Sequence, residues 1–333
     1  EMKLIMEKCP TDMCHASTLL KIGPDRFLAA WFGGTKEGNG DVAIWFTRGN
    51  EEHFEEPKIL AQSEEAHWNP VLFRVDEKKI IIFYKVGNEI SKWRTMYRVS
   101  EDNGETFGEE KELVPGDQGG RGPVRNKPIR LKSGRILAPG STEQGIWKAF
   151  VDRSDDDGKT WNKSQEVAIS QLEYKSGERT VGKDDSSIPV SEQSFYGRGV
   201  IQPTLWESIP DQVHMLLRST EGMIYRSDSK DGGNTWTEAY ATELPNNNSG
   251  IDMIRSEDGK LFLVYNPVGV NWGDRTPISL AVSKDDGKTW EKIRDLSTGE
   301  GEFAYPAIIQ DEDFLYITYT YKRKNIAFWK IRK

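Results

Sequence analysis

A chain of 333 residues with 36% hydrophobic and 11% aromatic side chains can bury a large core, and its length alone would suggest two domains. A net charge of −8, from 45 basic and 53 acidic residues, argues against a nucleic-acid or anionic-membrane partner unless a basic pocket is local. No run of 18 apolar residues occurs, so no membrane-inserted helix is expected, and the 2 cysteines lack the neighbours of a metal site.

Taken in order, the chain begins Glu1-Met2-Lys3 and reaches Cys9 and Cys14, which are either a small disulfide loop or two free thiols. Cys14 falls in an apolar strand, where a buried thiol is ordinary. From Cys14 the chain turns at Gly23-Pro24-Asp25-Arg26, runs through Phe27 to Phe32, loops over Gly33 to Gly40, returns along Asp41 to Thr47, and places a fourth strand near Pro57 to Ala61. A second unit repeats this plan with Asn69 to Val75, Lys79 to Lys85 and Arg94 to Ser100. Further units start at Asn126, Gln202, Ser249 and Tyr305.

Ser100 to Phe107, Ser154 to Trp161, Ser229 to Trp236 and Ser283 to Trp290 all read Ser-x-Asp-x-Gly-x-Thr-aromatic. This is hairpin-turn chemistry: Asp bonds nearby backbone N–H groups, Gly takes positive φ, and Thr with the aromatic pins the turn to a core. One such box supplies too few oxygens for calcium, which favours a structural role. Asp102 and Asp156 lie 54 residues apart, as do Asp231 and Asp285, whereas Asp156 to Asp231 is 75. About six such periods fit the chain, which predicts an all-β fold, a six-bladed β-propeller forming one domain over residues 1–333. The 21 extra residues match a Ser-, Gly-, Asp- and Lys-rich insertion loop at 171–197, between blades three and four. Three strands of the last blade precede Lys333, so its fourth is expected from Lys3 to Lys8, the N-terminal strand closing the ring.

Aligning the blades on Asn69-Pro70, Lys127-Pro128, Gln202-Pro203 and Tyr305-Pro306, with His15-Ala16 and Gly250-Ile251 in the same register, places His15, Asn69, Lys127, Gln202, Ser249 and Tyr305 around one mouth of the channel. Loops on that face carry Lys36, Glu37 and Asp41, then Lys85 and Arg94, Glu143, Arg218, Arg275, and Lys322 with Arg323. Cations gathered beside a carboxylate and a tyrosine suit an anionic sugar. His67, Asp252 and Trp68 are further binding candidates, and Trp93, Trp147 and Trp272 are placed to stack on a sugar ring.

On these boxes and strand starts the chain resembles the sialidase (neuraminidase) superfamily, in its bacterial branch with Asp-box repeats. The resemblance implies three arginines on a substrate carboxylate, a tyrosine nucleophile with a glutamate partner, and an acid on the first blade's loop. Arg218 in Leu216-Leu217-Arg218-Ser219 and Arg275 ahead of Ile278-Ser279-Leu280-Ala281 resemble two of the arginines, and Tyr305 in Ala304-Tyr305-Pro306 resembles the nucleophile. His15 stands where the first arginine is expected, and Gln202 where the glutamate is expected. Within Gly34-Thr35-Lys36-Glu37-Gly38-Asn39-Gly40-Asp41, Glu37 is preferred as general acid, with Asp41 as the fallback. Gln202 cannot deprotonate a phenol, so His15 is the candidate base, unless it is a core histidine bonded to backbone.

The implied activity is exo-hydrolysis of a terminal acidic sugar, sialic acid first, without metal or other cofactor. A glycosidase or lyase acting on uronic-acid-linked sugars, such as rhamnose on glucuronate, and a carbohydrate-binding propeller without turnover stand as alternatives. The expected partner is a glycan, the expected state a monomer, and the resemblance implies a periplasmic, cell-surface or secreted location.

Overall fold

The computed structural model describes residues 1–174 and 196–333, so the insertion expected at 171–197 lies, but for its ends, outside the described residues. Among the described residues, strands account for almost all the regular structure, and helix is confined to one 3-10 turn at Ile90–Lys92. The middle strands read as near-continuous apolar runs. Ile80–Val86, for example, is buried at every position, as a strand covered on both faces must be. The last strands of the sheets are more exposed, Lys58 and Ile59 in one and Glu291 to Arg294 in another.

Each stretch of chain folds back on itself into a four-stranded antiparallel set. Met13–Gly23, Arg26–Gly34, Ala43–Gly49 and Lys58–Ala61 make one sheet, His67–Arg74 to Lys111–Glu112 the next, and Asp252–Arg255 to Glu291–Ser297 another. Two further sets, Ile129–Arg130 to Asn162–Lys163 and Arg198–Ile209 to Tyr240–Pro245, merge into an eight-stranded sheet through a short parallel pairing of Ile146 with Arg198 and Trp147 with Gly199. First strands of neighbouring sets pack beside one another: Met13–Gly23 touches both His67–Arg74 and Phe303–Gln310, and Asp252–Arg255 touches Arg198–Ile209 and Phe303–Gln310.

The four Asp-boxes are hairpin turns. In the first, Ser100 Oγ accepts from Gly104 N at 2.8 Å while Asp102 accepts from Thr106 N at 2.8 Å and from the Thr106 hydroxyl at 2.5 Å. Asn103 and Gly104 both take positive φ, 60° and 83°, and the second of these positions is glycine in all four boxes. The Thr106 side chain and backbone bonds hold the Asp102 carboxyl at about 2. These aspartate oxygens are therefore spent inside the turn.

The last sheet is completed by the other end of the chain. Met2–Leu4 pairs antiparallel with Asn325–Arg332, Met2 opposite Trp329 and Leu4 opposite Ala327. The strand is shorter than the Lys3 to Lys8 expected, because after Leu4 the backbone turns inward: Ile5 and Met6 are buried, Ile5 N donates to Ile326 O at 2.8 Å, and Asn325 bonds both backbone groups of Met6. Cys9 and Cys14 are free thiols, Cys14 fully buried. Deleting residues 1–8 removes two buried apolar side chains, about 3–6 kcal/mol on transfer grounds, and bares the edge strand Asn325–Arg332. The expected result is a melting temperature lower by several degrees by calorimetry. An unchanged value would mean that the pairing contributes nothing to stability.

Candidate functional site

A shared irregularity at the start of the first strands builds the site. Ala16, Asn69, Arg125, Gln202, Asn248 and Tyr305 have positive φ, 61°, 44°, 68°, 51°, 57° and 56°. In the four sheets where the pairing continues past this point, the register breaks there: His15 to Thr18, Trp68 to Val71, Ile201 to Thr204 and Ala304 to Ala307. A bulge of this kind bends the strand and re-aims a side chain, and holding a bulky Tyr305 or Arg125 in the left-handed region stores strain that clusters at functional sites.

This geometry corrects the register read from the sequence. The Xaa-Pro pairs locate Asn69, Gln202 and Tyr305 properly, but no proline follows the bulge residue in the other three sets. The third position is Arg125 rather than Lys127, the fifth Asn248 rather than Ser249, and the first Ala16, one residue beyond His15. Lys127 instead forms an ion pair with Asp252 at 2.8 Å and also donates to Met253 O. Asp252 in turn accepts from Thr204 Oγ1 and Ile308 N, both at 2.9 Å, so the pair ties three sheets together in the interior.

Tyr305 is the centre of the cluster. Arg218 Nη1 donates to its hydroxyl at 2.6 Å and to Gln202 Oε1 at 3.1 Å, and Arg218 Nε donates to Asn248 Oδ1 at 2.8 Å. The guanidinium groups of Arg125, Arg218 and Arg275 lie 5.4, 5.6 and 5.1 Å from the Tyr305 ring centre. Arg125 is buried beneath and donates to the backbone carbonyls of Ser17, Tyr305 and Pro306. Gly250 leaves room here, since a Cβ would come within 3.1 Å of the Tyr305 ring and 3.2 Å of Arg125 Nε. Trp272 covers Arg218 from the other side, 5.8 Å from ring centre to guanidinium.

A chain of ion pairs flanks the cluster. Arg275 bonds Glu302 at 2.7 Å, Arg323 Nε bonds Glu302 at 2.9 Å, and Arg323 also pairs with Glu37. Burial would raise the Glu302 carboxyl, but the two arginines outweigh it and hold it at about 2. Glu37 and Glu302 likewise outweigh burial at Arg323 and push it up. Glu37 therefore enters the site as the partner of a cation. Asp41 accepts from Thr35 N at 3.0 Å and Thr35 Oγ1 at 2.9 Å and so shapes the loop that presents Glu37.

His15 is completely buried against the tyrosine, ring centres 4.1 Å apart. Its Nδ1 lies 2.8 Å from Thr320 Oγ1, while Nε2 is buried with no hydrogen-bond partner among the described residues. Burial first, then Arg323, Arg275, Arg125 and Arg218, lower its pKa well below the ordinary 6.5, so it is neutral at pH 7.

Other sequence candidates make different contacts. Lys85 is buried and donates to Thr95 at 2.7 Å and to carbonyls of Gly120 and Arg121, and burial pulls it down to about 7. Arg94 pairs with Glu65, whose carbonyl also bonds His67, and His67 stacks on Tyr84. Trp68 is buried, donates to Gly87 O at 2.8 Å and packs on Trp93. Trp147 is fully buried as well. Glu143 lies in the turn between Ile136–Thr142 and Ile146–Ser154. Asn69 and Ser249 are buried, with Asn69 Oδ1 and Ser249 Oγ unpartnered among the described residues.

Asn248, Arg125 and Glu302 escaped sequence reading, and Arg323 was visible only as one loop cation among several. For Asn248 a signal exists in the run Asn246-Asn247-Asn248, because Asn tolerates the left-handed conformation that a bulge requires.

Comparison with known proteins bears on the family and the fold. The BNR repeat-like domain family matches residues 25–317. A 177-residue stretch is 25% identical to a sialidase from Paraclostridium sordellii, covering 51% of this chain and 40% of that protein. In fold, the chain is similar to the NanB sialidase of Streptococcus pneumoniae, with a TM-score of 0.74 at 12% identity over 99% of this chain and 70% of that one. It is also similar to a protein of unknown function from Dyadobacter fermentans, with a TM-score of 0.75 at 15% identity over 100% and 98% of the two chains. The match thus spans less than half the length of the curated sialidase, while the sheets, Asp-boxes and family match agree along most of this chain. It is an all-β protein with a sialidase-like β-propeller fold and belongs to the BNR repeat-like family of the sialidase superfamily.

Proposed function

We propose that this is a six-bladed propeller glycosidase that releases a terminal acidic sugar, sialic acid first, from a glycan. The observation that carries the reading is Arg218. It is 3% exposed, and among the described residues its bonded partners, Asn248, Gln202 and the Tyr305 hydroxyl, are all neutral. Arg275 and Arg323, by contrast, are matched by Glu302 and Glu37. A buried cation without a counter-ion is costly, and a substrate carboxylate binding bidentately would supply one.

On this reading Arg218 holds the carboxylate and donates to Tyr305, supporting negative charge on the phenol oxygen. His15 is the base, its neutral ring pressed on Tyr305 and its Nε2 available. Glu37 and Arg323 form the wall of the site, and Trp272 covers the arginine. The buried neutral His15, together with Gln202 in place of a carboxylate, favours a second reading: hydrolysis or elimination at a uronic-acid-linked sugar such as rhamnose on glucuronate, with His15 moving the proton. Action on polymeric glycans implies export from the cytoplasm.

A fluorogenic sialoside assayed beside a panel of rhamnoglucuronides separates these readings. Release from the sialoside is the expected result. Release only from the uronic-acid-linked panel supports the second reading, and binding without release from any of them would mean a lectin-like propeller.

A further inference from the structure

At the far end of the same sheet, three side chains on adjacent strands meet in another arrangement. Ser208 lies six residues beyond Gln202 on Arg198–Ile209, about 20 Å along an extended strand, towards the end that carries the Asp-box turns. Its Oγ lies 2.8 Å from His214 Nε2, and His214 Nδ1 lies 2.5 Å from Asp228 Oδ1. Neighbouring strands set this spacing: His214 pairs directly with Asp228, and a break in register between Glu207 and Ile209 makes Ser208 the extra residue of a bulge. The backbone of such a residue is left out of the ladder, and its side chain is re-aimed.

The hydrogen positions follow from these contacts. A carboxylate oxygen 2.5 Å from Nδ1 must face a proton, so Nδ1 carries the hydrogen and Nε2 is left to accept from the Ser208 hydroxyl. Asp228 is fixed as the ionised partner. Burial would raise its carboxyl, but His214, Tyr240 at 2.6 Å and Arg226 at 2.9 Å outweigh it and hold it at about 2. Trp206 packs on the imidazole with ring centres 4.9 Å apart. Arg226 Nη2 lies 3.2 Å from Nδ1, and Asp286 Oδ2 lies 3.6 Å from Nε2. Ile209 and Tyr240, beside the trio, are 54% and 44% exposed and offer an apolar surface next to a half-buried hydroxyl.

We propose that Ser208, His214 and Asp228 form a second, hydrolytic centre, independent of the Tyr305 site, that cleaves a small ester with an apolar acyl or aryl group. Nucleophile, base and orienting carboxylate stand in the order that activates a serine. Ser208 Oγ bonds to the carbonyl carbon while its proton passes to His214 Nε2. The C–O bond to the alcohol breaks, and the alcohol leaves with that proton. Water then attacks the acyl-serine, giving one proton to His214 and returning the acid and free Ser208.

The test uses the intact chain, a fluorophosphonate probe and p-nitrophenyl acetate. With the probe, Ser208 Oγ bonds to phosphorus, fluoride departs, and the proton moves through His214 to solvent. The expected result is a single adduct mapped to Ser208 by peptide mass spectrometry. His214→Gln and Asp228→Asn should each slow labelling by about 10²-fold or more, and Ser208→Ala should lower ester hydrolysis to a similar extent. Absence of an adduct on Ser208 in the unaltered protein overturns the proposal whatever the variants do. So does equal labelling in whichever of the two base-side variants keeps the parent melting temperature, since it would reduce the trio to a structural ladder.

Discussion

Arg218→Ala lowers kcat/KM for the acidic glycoside by about 10² to 10³-fold, because truncating one partner of a buried charge pair costs several kcal/mol. Most of the effect should fall on KM, since among the described residues the guanidinium meets only neutral partners, Asn248, Gln202 and Tyr305. The variant should melt no lower than the parent, because an uncompensated buried cation has been removed. Gln202→Glu sharpens the test. The new carboxylate would stand where Gln202 Oε1 accepts from Arg218 at 3.1 Å and become a counter-ion that Arg218 lacks among the described residues. KM for an anionic substrate should then rise about tenfold or more, even though a glutamate beside the tyrosine restores the pair that sialidases resemble. Michaelis kinetics on both variants decide it: unchanged KM in both would mean that no anion binds at Arg218.

His15→Ala lowers kcat by about 10²-fold or more, the scale of general-base catalysis. A core histidine with a merely structural role would show itself differently, through a lower melting temperature and unchanged turnover in the surviving folded protein. The pH profile is the finer probe. Burial and four arginines depress His15 in the folded protein, so its base form persists well below pH 6.5. The acid limb of kcat/KM should therefore lie below that value and disappear in the alanine variant. The same depression has a stability sign: the contribution is complete above the unfolded value near 6.5 and is lost as pH falls towards the folded one. An acid limb that stays in place in His15→Ala would assign the proton step to another group.

The sequence and the structure agree where chemistry is local. The Asp-boxes were legible because Ser, Asp, Gly and Thr bond within eight residues, and the 54-residue spacing carried the repeat. Tyr305, Gln202 and Asn69 were legible because a proline follows each. Lys127 shows the limit: Pro128 mimics the marker, yet the positive-φ residue is Arg125, two positions earlier, whose guanidinium donates to the carbonyls of Ser17 and Pro306 on other sheets. Glu37 was placed near the site by its loop, but its pairing with Arg323 depends on a residue 286 positions away, which no local pattern encodes.

The pairing of Met2 with Trp329 also sets an order of events. Met2 lies 327 residues before its partner Trp329, so the sheets between them can form while this edge waits. Closing so long a span costs loop entropy, although that cost grows only logarithmically with length. The final sheet is therefore expected to be the slow, late step of folding, and the waiting edge at Asn325–Arg332 is where an exchanged N-terminal strand from a second molecule would dock in a crowded refolding mixture.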